Sequence, residues 1–167
     1  MKMLIPGAPY GSLLSTKLLM AGHDVTLICR SKSAELINGE GTEVRIKLRD
    51  EESHRAFRSQ DFSGTLDAVT PADARPEDYD MISLAMQEPQ YSEPQVRDLM
   101  QRIAASRKPC LSIMNMPPLP FLRRVAALAE APLETCYDDA TVWADLEPGR
   151  MSLRSPDPQP LPPSSED

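Results

Sequence analysis

Histidine is scarce in this chain of 167 residues, which has only His23 and His54. Neither lies at a spacing that pairs it with a nucleophile or gathers a metal, so triad-type hydrolysis and a zinc site are set aside. Cysteine is nearly as rare. Cys29, Cys110 and Cys136 are odd in number, far apart and without paired spacing, which reads as reduced thiols. Cys29 and Cys110 fall in strand-like runs and are expected in the core. No apolar run approaches the roughly 20 residues that span a bilayer, and the amino end lacks a signal-peptide apolar region. A cytoplasmic chain with no membrane partner is therefore expected. Positive charge is outnumbered: the formal net charge is -7, which opposes a phosphate backbone and argues against a nucleic-acid partner. One basic stretch, Arg45, Lys47, Arg49, Arg55 and Arg58, alternates with Val44, Ile46 and Leu48 and reads as the solvated face of a strand. Asp138 and Asp139 are adjacent, so on a strand they would point to opposite faces, and a solvated turn explains them better than a cation site. No internal repeat is present.

What is there begins in the first thirty residues. Met3-Leu4-Ile5 runs into Gly7-Ala8-Pro9-Tyr10-Gly11, then a helical pattern, then Val25-Thr26-Leu27-Ile28 ending at Arg30. Tyr10, Leu14, Leu18 and Ala21 recur at helical spacing, and Gly22 stops the helix. A strand that turns on glycine into a helix aims backbone N–H groups and the positive helix end at one point, a seat for phosphate. A glycine there also serves a purely steric turn. About 20 residues past the glycine turn, a dinucleotide fold places the residue that reads the adenosine ribose. Here that residue is Arg30, with Lys32 close by, and cations suit the 2′-phosphate of NADP where a carboxylate would suit NAD. Solvation of a loop is the other reading of the pair.

The rest alternates strand-like and helix-like segments, as a doubly wound sheet requires. Residues 43–49 alternate as a strand, 66–70 form a shorter one, 73–78 with Pro76 make a loop, and 80–86 suit a buried parallel strand. Ser92 and Gln95 have capping-box spacing, and Val96, Leu99, Met100, Ile103 and Ala104 form one apolar helix face, read as core. Residues 110–114 read as another buried strand. Pro117, Pro118 and Pro120 lead into a helix with Leu122, Val125, Ala126 and Ala129 inward, and 133–137 read as a sixth strand. From Pro148 the chain has six prolines in twenty residues, a composition for a linker or an extended tail. The expectation is a single α/β domain over 1–147, with a mostly parallel sheet and helices on both faces, followed by a proline-rich segment over 148–167. Sites should gather at the carboxyl ends of the strands, at Gly7, Ala8, Pro9, Tyr10, Gly11, Ser12, Arg30, Lys32, Met86, Gln87 and Asn115.

Three stretches resemble the N-terminal NADP-binding, Rossmann-like domain of the ketopantoate reductase family. They are Met1–Arg30, with Gly11-Ser12-Leu13-Leu14 and Ala21-Gly22-His23-Asp24-Val25-Thr26-Leu27; Asp80-Met81-Ile82-Ser83-Leu84-Ala85-Met86-Gln87; and Leu111-Ser112-Ile113-Met114-Asn115. The resemblance covers roughly residues 1 to 145. It implies NADPH as cofactor and hydride transfer to a 2-oxo acid such as 2-dehydropantoate, in pantothenate synthesis. Asn115 matches the family residue that contacts cofactor or substrate near the reacting carbon; it also reads as a turn asparagine.

The chain departs from that family in three places. The Gly-x-Gly-x-x-Gly turn is one residue shorter, with Pro9 near the middle glycine. Proline has no N–H, and losing one charge-assisted hydrogen bond costs about 1.5–3 kcal/mol, roughly tenfold to a hundredfold in affinity. Gln87 stands where the family carries lysine. The chain is also too short for the family's helical second domain, which supplies the catalytic lysine and most of the substrate pocket. Either this is a fragment of a longer reductase-like protein with a helical C-terminal domain, or a partner supplies the rest, with a homo-oligomer also open, or this is a non-catalytic nucleotide-binding module. A third reading makes the fold a scaffold whose proline-rich end recruits a partner.

Overall fold

A computed structural model of the chain describes residues 1–47, 52–114 and 116–153. In chain order the elements are β1 (Lys2–Pro6), α1 (Ala8–Met20), β2 (Asp24–Ile28), α2 (Ser31–Glu40), β3 (Glu43–Lys47), β4 (His54–Arg58), β5 (Leu66–Val69), β6 (Met81–Leu84), α3 (Glu88–Tyr91), α4 (Pro94–Ser106), β7 (Cys110–Ser112), α5 (Leu119–Leu122) and β8 (Met151–Leu153), with short 3-10 turns between some of them. Six strands form one sheet in the order β5-β2-β1-β6-β7-β8. Every neighbouring pair in it is parallel, with Leu4 beside Thr26, Met3 beside Met81, and Cys110 between Ile82 and Met151.

Alternation along the central strands sends their side chains to two cores. Met3, Ile5, Val25 and Leu27 meet Leu19 of α1 and Ala34 of α2 on one face. Leu4, Ile82 and Leu84 meet Val96, Leu99, Met100 and Ile103 of α4 on the other, as the apolar spacing of that helix predicts. The second core extends into the turns after α5, where the Trp143 ring lies 5.0 Å from Tyr91 and 6.4 Å from Tyr137.

Several elements differ from expectation. Helix α1 is present and ends before Gly22, but Tyr10 is 54% exposed and Ala21 is exposed. The face it turns to the sheet carries Gly11, Ser15 and Leu19, because close approach to the strands selects small side chains. Strand β3 leaves the main sheet and pairs antiparallel with β4 as a separate hairpin, where Arg45 and Arg58 are exposed and both hydrogen-bond Glu43. Arg49 lies outside the described residues. Ser92 caps the end of α3 instead of opening α4, which starts on Pro94; the capping box belongs to Gln87 and Gln90.

The helix expected after Pro120 stops at Leu122, and Val125, Ala126 and Ala129 are exposed. Alanines offer too little apolar area to hold a helical face, and Arg124 is drawn aside to donate to the Met151 carbonyl at 3.0 Å. Residues 133–137 are not a strand. Leu133–Cys136 form a 3-10 turn, with Leu133 buried at its start and Tyr137 buried where the chain becomes extended again. The sixth strand is Met151–Leu153, so the sheet continues past residue 147; residues 154–167 lie outside the described part.

Candidate functional site

Strand β1 ends at Pro6, and the chain reverses through Gly7, whose φ of 105° and ψ of 75° lie where side chains are disfavoured. The Gly7 N–H donates to the Ile28 carbonyl at 3.1 Å, joining the turn to the end of β2. A Cβ on Gly7 would strike the Ala85 carbonyl and lie 2.5 Å from its carbon and 2.9 Å from the Met86 nitrogen. The turn is thus pressed onto the backbone that leaves β6. Gly11 plays a second part: a Cβ there would sit 2.6 Å from Ile5 Cγ2, so its absence lets α1 lie against the sheet.

The first turn of α1 faces this junction. Gly11 N–H donates to the Gly7 carbonyl at 2.8 Å, while the N–H groups of Ala8 and Tyr10 have no partner among the described residues. Pro9 has no N–H to give. The Ser12 hydroxyl donates to the Pro9 carbonyl at 3.1 Å, so it serves the turn. Two backbone donors and the positive end of a thirteen-residue helix therefore point outward between β1 and β6.

On the facing lip, Ala85 N–H donates to the Pro6 carbonyl at 2.9 Å and holds the exit of β6 beside β1. Gln87 then opens α3. Its backbone N–H donates to Gln90 Oε1 at 2.9 Å, its side-chain oxygen accepts from the Gln90 backbone, and its Nε2 donates to the Tyr10 hydroxyl. That last bond spans the lips of the crevice. Beside it lies a cleft of ≈ 240 Å³ lined by Tyr10, Gln87, Glu88 and an apolar wall of Met86, Ile113, Met114 and Met116. The buried Tyr91 hydroxyl supports that wall by donating to Met114 Sδ at 3.2 Å, and its burial pushes its pKa up.

Arg30 caps the N-terminus of α2, two residues past Ile28, and is exposed, as is Lys32 in the first turn. The Arg30 carbonyl accepts the Ala34 N–H at 2.9 Å, but neither side chain has a hydrogen bond or ion pair among the described residues. The structure thus gathers Gly7, Ala8, Pro9, Tyr10, Gly11, Met86 and Gln87 at the junction of β1 and β6, with Arg30 and Lys32 one strand away. Asn115 lies outside the described residues. The predicted site residues did not include Ala85, Glu88, Pro89, Ile113, Met114 and Met116, which also line the cleft; Ala85, Ile113 and Met114 lay within the stretches that carry the resemblance, and the others had no signal of their own.

The strand order decides what kind of fold this is. Counting along the six parallel strands it runs 3-2-1-4-5-6, and the crevice lies outside the carboxyl ends of the first and fourth, where the order reverses. The fold is Rossmann-like. No family model and no curated protein sequence matches the chain. Among solved structures, a protein assigned as a ketopantoate reductase from Ralstonia solanacearum MolK2 superposes with a TM-score of 0.59 at 15% identity, over 89% of this chain and 42% of its own length. UDP-D-ManNAc dehydrogenase from Pyrococcus horikoshii gives 0.51 at 17% identity, over 92% and 35%. A protein assigned as a 2-dehydropantoate 2-reductase, PanE, from Bacillus subtilis gives 0.46 at 24% identity, over 69% and 34%. The chain spans less than half the length of each. The likeness is one of fold.

Burial raises the thiols of Cys29, just past the end of β2, and of Cys110 in β7, the latter to about 11. Among the described residues no three His, Cys, Asp or Glu side chains stand together to hold a metal, and no helix is long and apolar enough to cross a membrane.

Proposed function

We propose that this chain is the NADP(H)-binding domain of an oxidoreductase related to ketopantoate reductase. The observation that carries the reading is Gly7, held at positive φ against the Ala85 backbone beneath the open first turn of α1, at the reversal of strand order. A pyrophosphate needs closely approaching backbone, free N–H groups and a helix N-terminus. Gly7, Ala8 and Tyr10 supply these, with one donor fewer at Pro9. The side chains of Arg30 and Lys32, at the start of α2 and without a partner among the described residues, suit the 2′-phosphate of NADP. NADPH, when bound, supplies hydride.

The substrate side supports a second reading. Hydride transfer to a 2-oxo acid such as 2-dehydropantoate follows from the sequence resemblance, yet position 87 holds a neutral amide occupied as a helix cap and as a partner of Tyr10. That favours a nucleotide-binding module whose turnover depends on a further domain or another copy of the chain.

Calorimetric titration of the purified chain tests the proposal. NADPH is expected to bind more tightly than NADH, and Arg30→Ala to lower NADPH affinity about tenfold to a hundredfold while leaving NADH nearly unchanged. Equal losses for both cofactors would remove Arg30 from the role; no binding of either at millimolar concentration would end the proposal.

A further inference from the structure

The cleft beside Gln87 has a lining that suits one kind of small molecule and opposes another. Its apolar wall is mostly thioether, from Met86, Met114 and Met116, side chains that reshape easily around an irregular body. Among its described lining residues the only charge is that of Glu88, and it is negative. Glu88 Oε1 accepts the Asp138 N–H at 2.8 Å, which holds the carboxylate at the cleft. Arg97, near the same turn, is already committed to Asp139 and to Thr141 Oγ1. A carboxylate entering this cleft would leave water for apolar surface beside a like charge, with no cation among the described lining residues to compensate it.

The two polar groups at the mouth are neutral donors. Tyr10 Oη receives a hydrogen bond from Gln87 Nε2, which leaves the Tyr10 hydroxyl proton free to be given, and Gln87 keeps a second N–H. Such a pair fits a carbonyl oxygen. The volume of ≈ 240 Å³ falls below the roughly 300 Å³ at which drug-sized pockets begin.

We infer that the cleft takes the uncharged, branched apolar body of a small ketone or aldehyde, with its carbonyl oxygen at Tyr10 and Gln87, and discriminates against the carboxylate of a 2-oxo acid. The choice of a carbonyl compound rests on the proposed function; the discrimination against carboxylate rests on the cleft alone.

The test uses the full chain labelled with 13C at the methionine methyls, the signals of Met86, Met114 and Met116 being assigned by single Met→Leu changes. Two probes of like shape are titrated with and without NADPH: 3,3-dimethyl-2-butanone, and trimethylpyruvate, which replaces one methyl by carboxylate. The ketone is expected to shift the three cleft methyls and to bind at least tenfold more tightly than the keto acid. Glu88→Gln should raise keto-acid affinity severalfold without changing that of the ketone, and Met116→Lys, which brings a cation to a partly exposed wall position, should reverse the preference. Keto-acid binding at these methyls as tight as that of the ketone would overturn the inference, as would a ketone that shifts none of them. If the ketone discriminates but NADPH does not bind, the proposed function fails while the cleft assignment stands.

Discussion

At the scale of single residues, the crevice depends on a side chain that is missing. Replacing Gly7 by alanine forces a Cβ into a φ of 105° and against the Ala85 backbone, which cannot rotate away as a side chain can. The expected loss is about 2–6 kcal/mol of unfolding free energy, read by urea denaturation; a loss below about 1 kcal/mol would mean that the turn relaxes easily. The glycine was legible in the sequence because a strand, a glycine and a helix follow one another within a few residues. So was the position of Arg30 just past β2, reached by counting from that turn. The use of Gln87 was not legible: its bond to Tyr10 joins residues 77 positions apart, and no local pattern announces such a contact.

Among elements, α4 shows what an amphipathic stripe determines. Its four buried apolar positions lie between exposed polar ones, and Leu99 is fully buried. Leu99→Ala is expected to cost about 2–5 kcal/mol, measured by urea denaturation with an unchanged slope. Helix α1 was legible as a helix and misleading as a face, since Gly11 and Ser15 at the contact carry almost no hydrophobic signal while exposed Tyr10 does. The strands were legible as apolar runs, or for β3 as alternation, with β4 and β8 excepted. Three residues after Pro148-Gly149 in a proline-rich stretch offer no periodicity, and β8 exists because β7 presents an edge to pair with. The run at 133–137 failed for the opposite reason: its composition suits a strand, but only Leu133 and Tyr137 turn inward.

For the molecule as a whole, acid should loosen the fold through its hydrogen-bonded carboxylates. The side chain and backbone N–H of Thr65 hold Asp24 below its usual value, tying the start of β2 to the entry of β5. Asp139 is lowered by Thr141 and then by Arg97, and Glu43 by Arg58 and Arg45. Each folded-state value lies below the unfolded one, so the stabilisation is present above the unfolded value and is lost as pH falls through the folded one. The thermal midpoint is expected to fall as pH drops below about 4, with a shallower fall for Asp24→Asn. Parallel slopes for the two proteins would remove Asp24 from the effect. A different consequence follows from the central position of β1. Its partner β2 is made within the next few turns of chain, but its other neighbour is far away in sequence: Lys2 and Asp80, which hydrogen-bond at that edge, are 78 positions apart. At a ribosomal pace of roughly 5–20 residues per second, that margin stays uncovered for roughly 4–16 s. The nascent chain, with half its sheet still inside the ribosome, is therefore the form most exposed to strand-to-strand aggregation and most in need of a chaperone.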